Sequence, residues 1–72
     1  MATIEAVVHI GERLRRLREE RALRQEDLAN LAGIGNNTVN RIEKNRTEPH
    51  MTTIRKLADA LEVDPAELVR GE

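Results

Sequence analysis

The chain has 72 residues, no cysteine, no aromatic residue and a formal net charge of −1. This length predicts one small domain that buries only about 60% of its unfolded surface, and the lack of cysteine excludes disulfides and thiolate metal sites. No apolar run is long enough for a signal peptide or a membrane span, so we expect a cytoplasmic protein without a membrane partner.

The chain divides into a short N-terminal segment and one periodic region. We expect residues 1–9 to form an extension, either continuing the first helix or lying as an arm, and residues 10–72 to form a single domain. Within that domain Ile10, Leu14 and Leu17 repeat at helical spacing, which predicts a first helix through about Arg21.

A second helix is predicted over residues 25–32. Leu28, Ala29 and Leu31 are its candidates for burial. Gly33 follows as the residue that ends the helix, because glycine accepts a left-handed backbone conformation.

The third predicted helix, over residues 36–44, has two faces of opposite chemistry. At about 100° per residue, Val39 and Ile42 point to one side. The other side carries Asn36, Asn37, Asn40, Arg41 and Lys44. Primary amides pair bidentately with adenine and guanidinium groups with guanine, each good pair giving about 1–3 kcal/mol of discrimination. This face is therefore a candidate for reading base pairs, and the simpler alternative is that it is only a solvated helix face. Asn45 follows as a candidate left-handed C-cap.

Two further helices are predicted after Pro49. The fourth repeats apolar residues with helical period at Met51, Ile54, Leu57, Ala58 and Leu61, and Met51 is a further candidate for the core. The fifth begins with Asp64 as an acidic N-cap and Pro65 at the first helical position, and ends near Arg70. Five helices and no strand candidate predict an all-α fold.

Seven residues match the spacing Q-x-x-L-A-x-x-x-G-x-x-x-x-x-[IV]-x-x-[IL]-E. They are Gln25, Leu28, Ala29, Gly33, Val39, Ile42 and Glu43. This pattern is typical of the Xre/Cro family, and the chain resembles the lambdoid phage repressor and Cro DNA-binding domains from about Gly11 to Leu68. The resemblance implies a compact five-helix lambda-repressor-like helix-turn-helix domain, with the third helix as the recognition helix.

The resemblance also implies roles for individual residues. Asn36, Asn37 and Arg41 match base-reading positions, and Asn40 joins them because it shares their face. Arg18 and Glu43 match an ion pair between the first helix and the end of the recognition helix, the alternative being independent surface charges. Contacts with the DNA backbone or at helix starts are expected from Arg24, Gln25, Gly35, Thr38, Lys44, Arg46 and Thr47.

Two positions depart from the family pattern. Arg24 and Gly35 stand just before the two helices of the motif, where the family usually has Ser or Thr. Arg24 offers no acceptor to the free amides of the helix, so we expect it to contact a phosphate instead. Gly35 removes a hydroxyl, which reduces the expected phosphate contact there to a backbone amide.

The function implied is that of a sequence-specific regulator of transcription, most often a repressor. We expect it to bind double-stranded DNA as a homodimer on an inverted repeat, with the recognition helix in the major groove. Candidates for the dimer interface are Val63, Leu68 and Val69, with Ile4, Val7 and Val8 as a second patch. Small autoregulatory repressors, restriction-modification controllers and antitoxins with a cognate toxin partner all fit this architecture.

The alternative is a protein-interaction module of the bridging-coactivator type. The near-neutral net charge favours it, whereas the amide-rich face of the third helix favours DNA. Catalysis has no support, because His9 and His50 are isolated from any second histidine or carboxylate at ligand spacing. The sequence therefore predicts no enzyme, no metal and no cofactor.

Overall fold

A computed structural model describes residues 10–70, apart from the side chain of Arg70. Its helices are α1 (Gly11–Glu20), α2 (Gln25–Ala32), α3 (Asn36–Glu43), α4 (Met51–Leu61) and α5 (Pro65–Arg70). The predicted all-α five-helix fold is confirmed, with the ends of α1 and α3 one residue earlier than expected. The predictions for residues 1–9, including the patch of Ile4, Val7 and Val8, lie outside the described residues.

One aliphatic core joins the helices. The helix α3 packs against α1 and α2, and α4 packs against α2 and α5. The buried side chains are those of Ile10, Leu14, Leu28, Ala29, Ala32, Val39, Ile42, Ile54, Leu57, Ala58, Leu61 and Leu68. Because burying a Val, Leu or Ile side chain contributes about 1.5–3 kcal/mol, this cluster provides the main stabilisation of a domain without aromatic residues.

Two residues expected in the core lie at the surface. Leu31 is 62% exposed and Met51 is 54% exposed, so both predictions were wrong. On α2 the buried stripe is formed by Leu28, Ala29 and Ala32, and Leu31 lies on the flank of that stripe. Met51 is the first residue of α4, and its position precedes the stripe that begins at Ile54.

The helices α1 to α4 end in the same way. A residue with positive φ follows each helix: Ala22 (56°), Gly33 (73°), Asn45 (56°) and Glu62 (60°). The next residue then donates its N–H to a carbonyl five positions earlier, at 2.9–3.1 Å in the four cases. Three of these donors are apolar and pack on the core, namely Leu23, Ile34 and Val63. Each turn therefore closes a helix and redirects the chain at once.

The start of α1 lies against the end of α3. The N–H of Gly11 donates to Oδ1 of Asn45 at 3.1 Å. A Cβ atom at Gly11 would lie 2.7 Å from both Asn45 Oδ1 and the carbonyl oxygen of Ile42, which no real side chain tolerates. Glycine at this position thus permits α1 to hold the C-terminal end of α3.

The helix-closing turns predict opposite effects for two exchanges. Ala22→Gly should stabilise the domain by about 0.5–1 kcal/mol, because glycine adopts the left-handed conformation without the Cβ penalty. Gly33→Ala should destabilise it by about 1 kcal/mol through backbone strain alone, since an added Cβ would meet no atom within 4 Å. Urea unfolding of the two variants beside wild type measures both changes. Equal signs for the two exchanges would contradict this account of the turns.

Candidate nucleic-acid interface

The helix α3 presents a polar face to solvent. Asn36, Asn37 and Arg41 are exposed, while Val39 and Ile42 are buried on the opposite side. Asn40 is half-buried, and Lys44 is exposed at the C-cap of the helix. The side chains of Asn36, Asn37 and Arg41 therefore lie outside the core, on a helix whose other face is fixed by packing.

Neither helix of the motif has a side-chain acceptor at its N-cap. Gly35 has an extended backbone, and no side chain caps the first amides of α3. At α2 the guanidinium of Arg24 donates to the carboxylate of Asp27, with Nη2 at 3.1 Å from Oδ1. The N–H of Arg24 donates to Asp27 Oδ2 at 2.8 Å, which is the reciprocal half of a capping box.

Sequence reasoning overlooked Asp27, although an acid three residues after an N-cap is a recognisable signal. The pKa of its carboxyl is lowered, first by the hydrogen bond from the Arg24 side chain and then by the one from the Arg24 backbone. Its contribution to stability is present above the ordinary pKa of an aspartate and is lost as the pH falls through the lowered value. Arg24 is 75% exposed at its side chain, so this pairing leaves it at the surface.

A bidentate ion pair joins α1 to the end of α3. Arg18 Nε lies 2.6 Å from Glu43 Oε2, and Arg18 Nη2 lies 3.0 Å from Glu43 Oε1. The side chains are 11% and 4% exposed, which distinguishes this pair from independent surface charges. The pKa of Arg18 is raised, first by its hydrogen bond to Glu43. Arg18 also donates to the carbonyl of Leu23 at 2.8 Å, so the same guanidinium holds the turn before α2.

The carboxylate of Glu43 also reaches α2. Gln25 Nε2 donates to Glu43 Oε1 at 3.0 Å. Asn40 Nδ2 in turn donates to Gln25 Oε1 at 3.2 Å. Two of the predicted DNA-contacting residues, Gln25 and Asn40, are therefore tied to the ion pair by one continuous chain of hydrogen bonds.

The remaining predicted contact residues lie near the two ends of α3. Thr38 is half-buried in its first turn, and its N–H donates to the Gly35 carbonyl at 3.1 Å. In the loop beyond α3, Arg46 is exposed and Thr47 is half-buried. The loop begins with Asn45, whose link to Gly11 the sequence analysis did not anticipate.

The three candidates for a dimer interface differ in exposure. Leu68 is fully buried in the core of its own chain, so its assignment to an intermolecular contact was wrong. Val63 and Val69 are half-buried and also pack on the core. Their remaining exposed surface is what a second chain could contact.

Residues 10–70 contain no group of His, Asp and Glu side chains that could hold a metal ion. Within the same range, no helix is both long and apolar enough to cross a membrane.

Comparison with known proteins identifies the family. The family model HTH_3, described as helix-turn-helix, matches residues 14–68, which is most of the chain. The chain belongs to this family. The resemblance to Xre/Cro proteins expected from the sequence is thereby confirmed.

Proteins similar to this chain include a repressor and a controller protein. The cryptic phage CTXphi transcriptional repressor RstR of Vibrio cholerae is 46% identical over 59 residues, which cover 82% of this chain and 53% of RstR. The restriction-modification controller protein C.AhdI of Aeromonas hydrophila is 39% identical, with a TM-score of 0.83 over 89% of this chain and 97% of that structure.

A second similar structure was solved in complex with an operator. The P22 c2 repressor, solved in complex with synthetic operator 9T, is 32% identical, with a TM-score of 0.82 over 88% of this chain and 96% of that structure. The chain spans only 29% of the whole repressor protein C2 of Salmonella phage P22 and about half of RstR. What these relatives share with the chain is thus the helix-turn-helix domain.

The ion pair of Arg18 and Glu43, whose side chains are 11% and 4% exposed, predicts a large loss of stability when one partner is removed. Arg18→Met should cost about 3–5 kcal/mol, because it leaves the Glu43 carboxylate buried without a counter-charge. The double variant Arg18→Met/Glu43→Leu should recover most of that loss, since neither charge is then left unpaired. Urea denaturation measures both.

Arg15→Ala is the matched control on the same helix. It removes an ion pair with Glu19 whose side chains are 63% and 56% exposed, and should change stability by less than about 1 kcal/mol. If Arg18→Met were no more destabilising than this control, the ion pair would not have the structural role assigned to it.

Proposed function

We propose that this chain is a sequence-specific double-stranded DNA-binding regulator of transcription, without enzymatic activity, that acts as a repressor. In this proposal α3 enters the major groove of its operator. The observation that carries it is the exposed face of Asn36, Asn37 and Arg41 on a helix whose opposite face is fixed in the core. The relatives named above as repressors, one of them solved with an operator, support the same function.

Each part of the surface around α3 has a distinct proposed role. Arg41 and the two exposed asparagines read base edges, for which guanidinium and amide groups have the required donors and acceptors. Lys44 and Arg46, both exposed, contact phosphates together with the free amides that begin α3. Phosphate contacts fix the register of the helix on the duplex, and the base contacts then select the sequence.

We further propose that two chains bind one inverted repeat. Dimeric helix-turn-helix proteins address half-sites about one helical turn, or about 34 Å, apart. The half-buried valines Val63 and Val69 supply the apolar part of the contact. A protein partner such as a cognate toxin and a cytoplasmic location stay predictions.

In vitro selection from randomised duplex DNA at physiological salt tests the function. Wild type should enrich an inverted repeat, and the Asn36/Asn37/Arg41 triple-alanine variant should not, since loss of Arg41 alone costs about 1–3 kcal/mol. Arg16→Ala is the control, because Arg16 is an exposed arginine that belongs to α1 and not to α3 or the loop after it. It should enrich the same repeat as wild type.

The competing function predicts a different result of that selection. The net charge of −1 favours a protein-interaction module. Such a module would enrich no sequence and retain DNA only weakly and with strong salt dependence. That outcome would replace DNA reading by protein docking as the function.

Sedimentation of the protein with operator DNA tests the dimer. Two chains should bind a duplex carrying both half-sites, and Val69→Asp should weaken this assembly by placing a charge in an apolar contact. Circular dichroism checks that the variant remains folded, because Val69 also packs on the core. A protein that stays monomeric at high concentration and binds single half-sites would contradict the dimer.

A further inference from the structure

We propose that Gln25 is a positioning residue that, held by Glu43, turns the Asn40 amide so that Asn40 selects a base with an exocyclic amine, adenine or cytosine. The inference rests on the proposed function, since it concerns how the α3 face reads DNA. The sequence pattern groups Asn40 with the base-reading residues Asn36, Asn37 and Arg41. In this proposal Asn40 also contacts a base, but Gln25 determines the orientation of its amide.

The direction of the hydrogen-bond chain is set at Glu43. An ionised carboxylate accepts hydrogen bonds and donates none. Glu43 forms a bidentate ion pair with Arg18, and its side chain is only 4% exposed. Whatever group of Gln25 faces this carboxylate must therefore be the donor, which is the Nε2 amino group.

The orientation of Gln25 then fixes that of Asn40. Because Nε2 of Gln25 faces Glu43, the Oε1 atom of Gln25 faces Asn40. A carbonyl oxygen can only accept a hydrogen bond. Asn40 meets it with the Nδ2 amino group at 3.2 Å. Asn40 Oδ1 accepts no hydrogen bond from any residue between 10 and 70, so the acceptor end of this amide is left for an outside ligand.

A fixed acceptor discriminates among bases in the major groove. Adenine N6 and cytosine N4 are amino donors there, whereas guanine O6 and thymine O4 are acceptors. An asparagine that could rotate freely would present Nδ2 to the latter pair equally well. The tie to Gln25 favours the acceptor, because reversing the Asn40 amide would set its oxygen against Gln25 Oε1 and because one of the two Nδ2 hydrogens is already used.

Selection experiments on four proteins test the proposal: wild type, Gln25→Met, Asn40→Ala and the double variant. Methionine has about the length of glutamine but no amide, and the exchange leaves Arg18 and Glu43 unchanged. Wild type should favour adenine or cytosine at one position of the half-site. Gln25→Met should lower that preference about fivefold, and Asn40→Ala should abolish it. The double variant should match Asn40→Ala at this position, because the two residues act as one unit.

A measurement without DNA separates this proposal from the proposed function. In NMR spectra of the folded domain, Gln25→Met should shift the side-chain amide signals of Asn40. It should leave those of Asn30, an exposed asparagine on α2, in place. This readout reports the hydrogen bond directly and does not depend on operator binding.

Two results would overturn the inference in distinguishable ways. If wild type enriches an operator but Gln25→Met changes neither the Asn40 signals nor its base preference, the role of Gln25 is wrong and DNA reading stands. If the Asn40 signals shift as expected but wild type enriches no sequence, DNA reading fails and base selection by Asn40 fails with it.

Discussion

The arrangement of the first three helices depends on the carboxylate of Glu43. It accepts two hydrogen bonds from Arg18 of α1 and one from Gln25 of α2, while its own backbone forms the last turn of α3. An enclosed carboxylate left without a counter-charge costs several kcal/mol, so the position of Glu43 depends above all on Arg18. Glu43 also lies at the C-terminal, negative end of the α3 dipole. The positive charge of Arg18 therefore offsets both the desolvation of the Glu43 carboxylate and its repulsion by the helix dipole. One side chain thereby fixes three helices relative to each other.

A small core without aromatic residues makes such fixed points important. Contacts between aliphatic side chains have no preferred direction, so the core alone does not fix how the helices are oriented. The hydrogen bonds at the helix ends fix these orientations. The turns after α1, α2 and α4 each pack one partly buried apolar residue against the core, namely Leu23, Ile34 and Val63. At the end of α3 the equivalent position is Arg46, which is exposed, and the end is held instead by the approach of Gly11. At the end of α3, which carries the proposed DNA-reading face, a polar contact therefore takes the place of the apolar residue that packs on the core at the other helix ends.

The polar face of α3 is divided by this arrangement. Three side chains of this face are exposed, those of Asn36, Asn37 and Arg41. Asn40, in contrast, is hydrogen-bonded to Gln25, which is hydrogen-bonded in turn to Glu43 of the ion pair. A site built on a rigid helix with one side chain fixed by neighbours loses little conformational entropy when it binds. The same contacts that stabilise the domain thus determine which atoms of the face remain for a ligand.

The sequence by itself determined the five helices, the glycine that ends α2 and the family to which the chain belongs, because periodicity, caps and motif spacing are local properties. It also paired Arg18 with Glu43 through the family pattern, although spacing alone left them independent charges. Only the tertiary structure placed Leu31 at the surface and Leu68 in the core, and joined Asn40 to Gln25. Periodicity identifies the apolar side of a helix but not how far a neighbour covers it. Burial and hydrogen bonding depend on residues far apart in the chain, and those are brought together only when the helices pack.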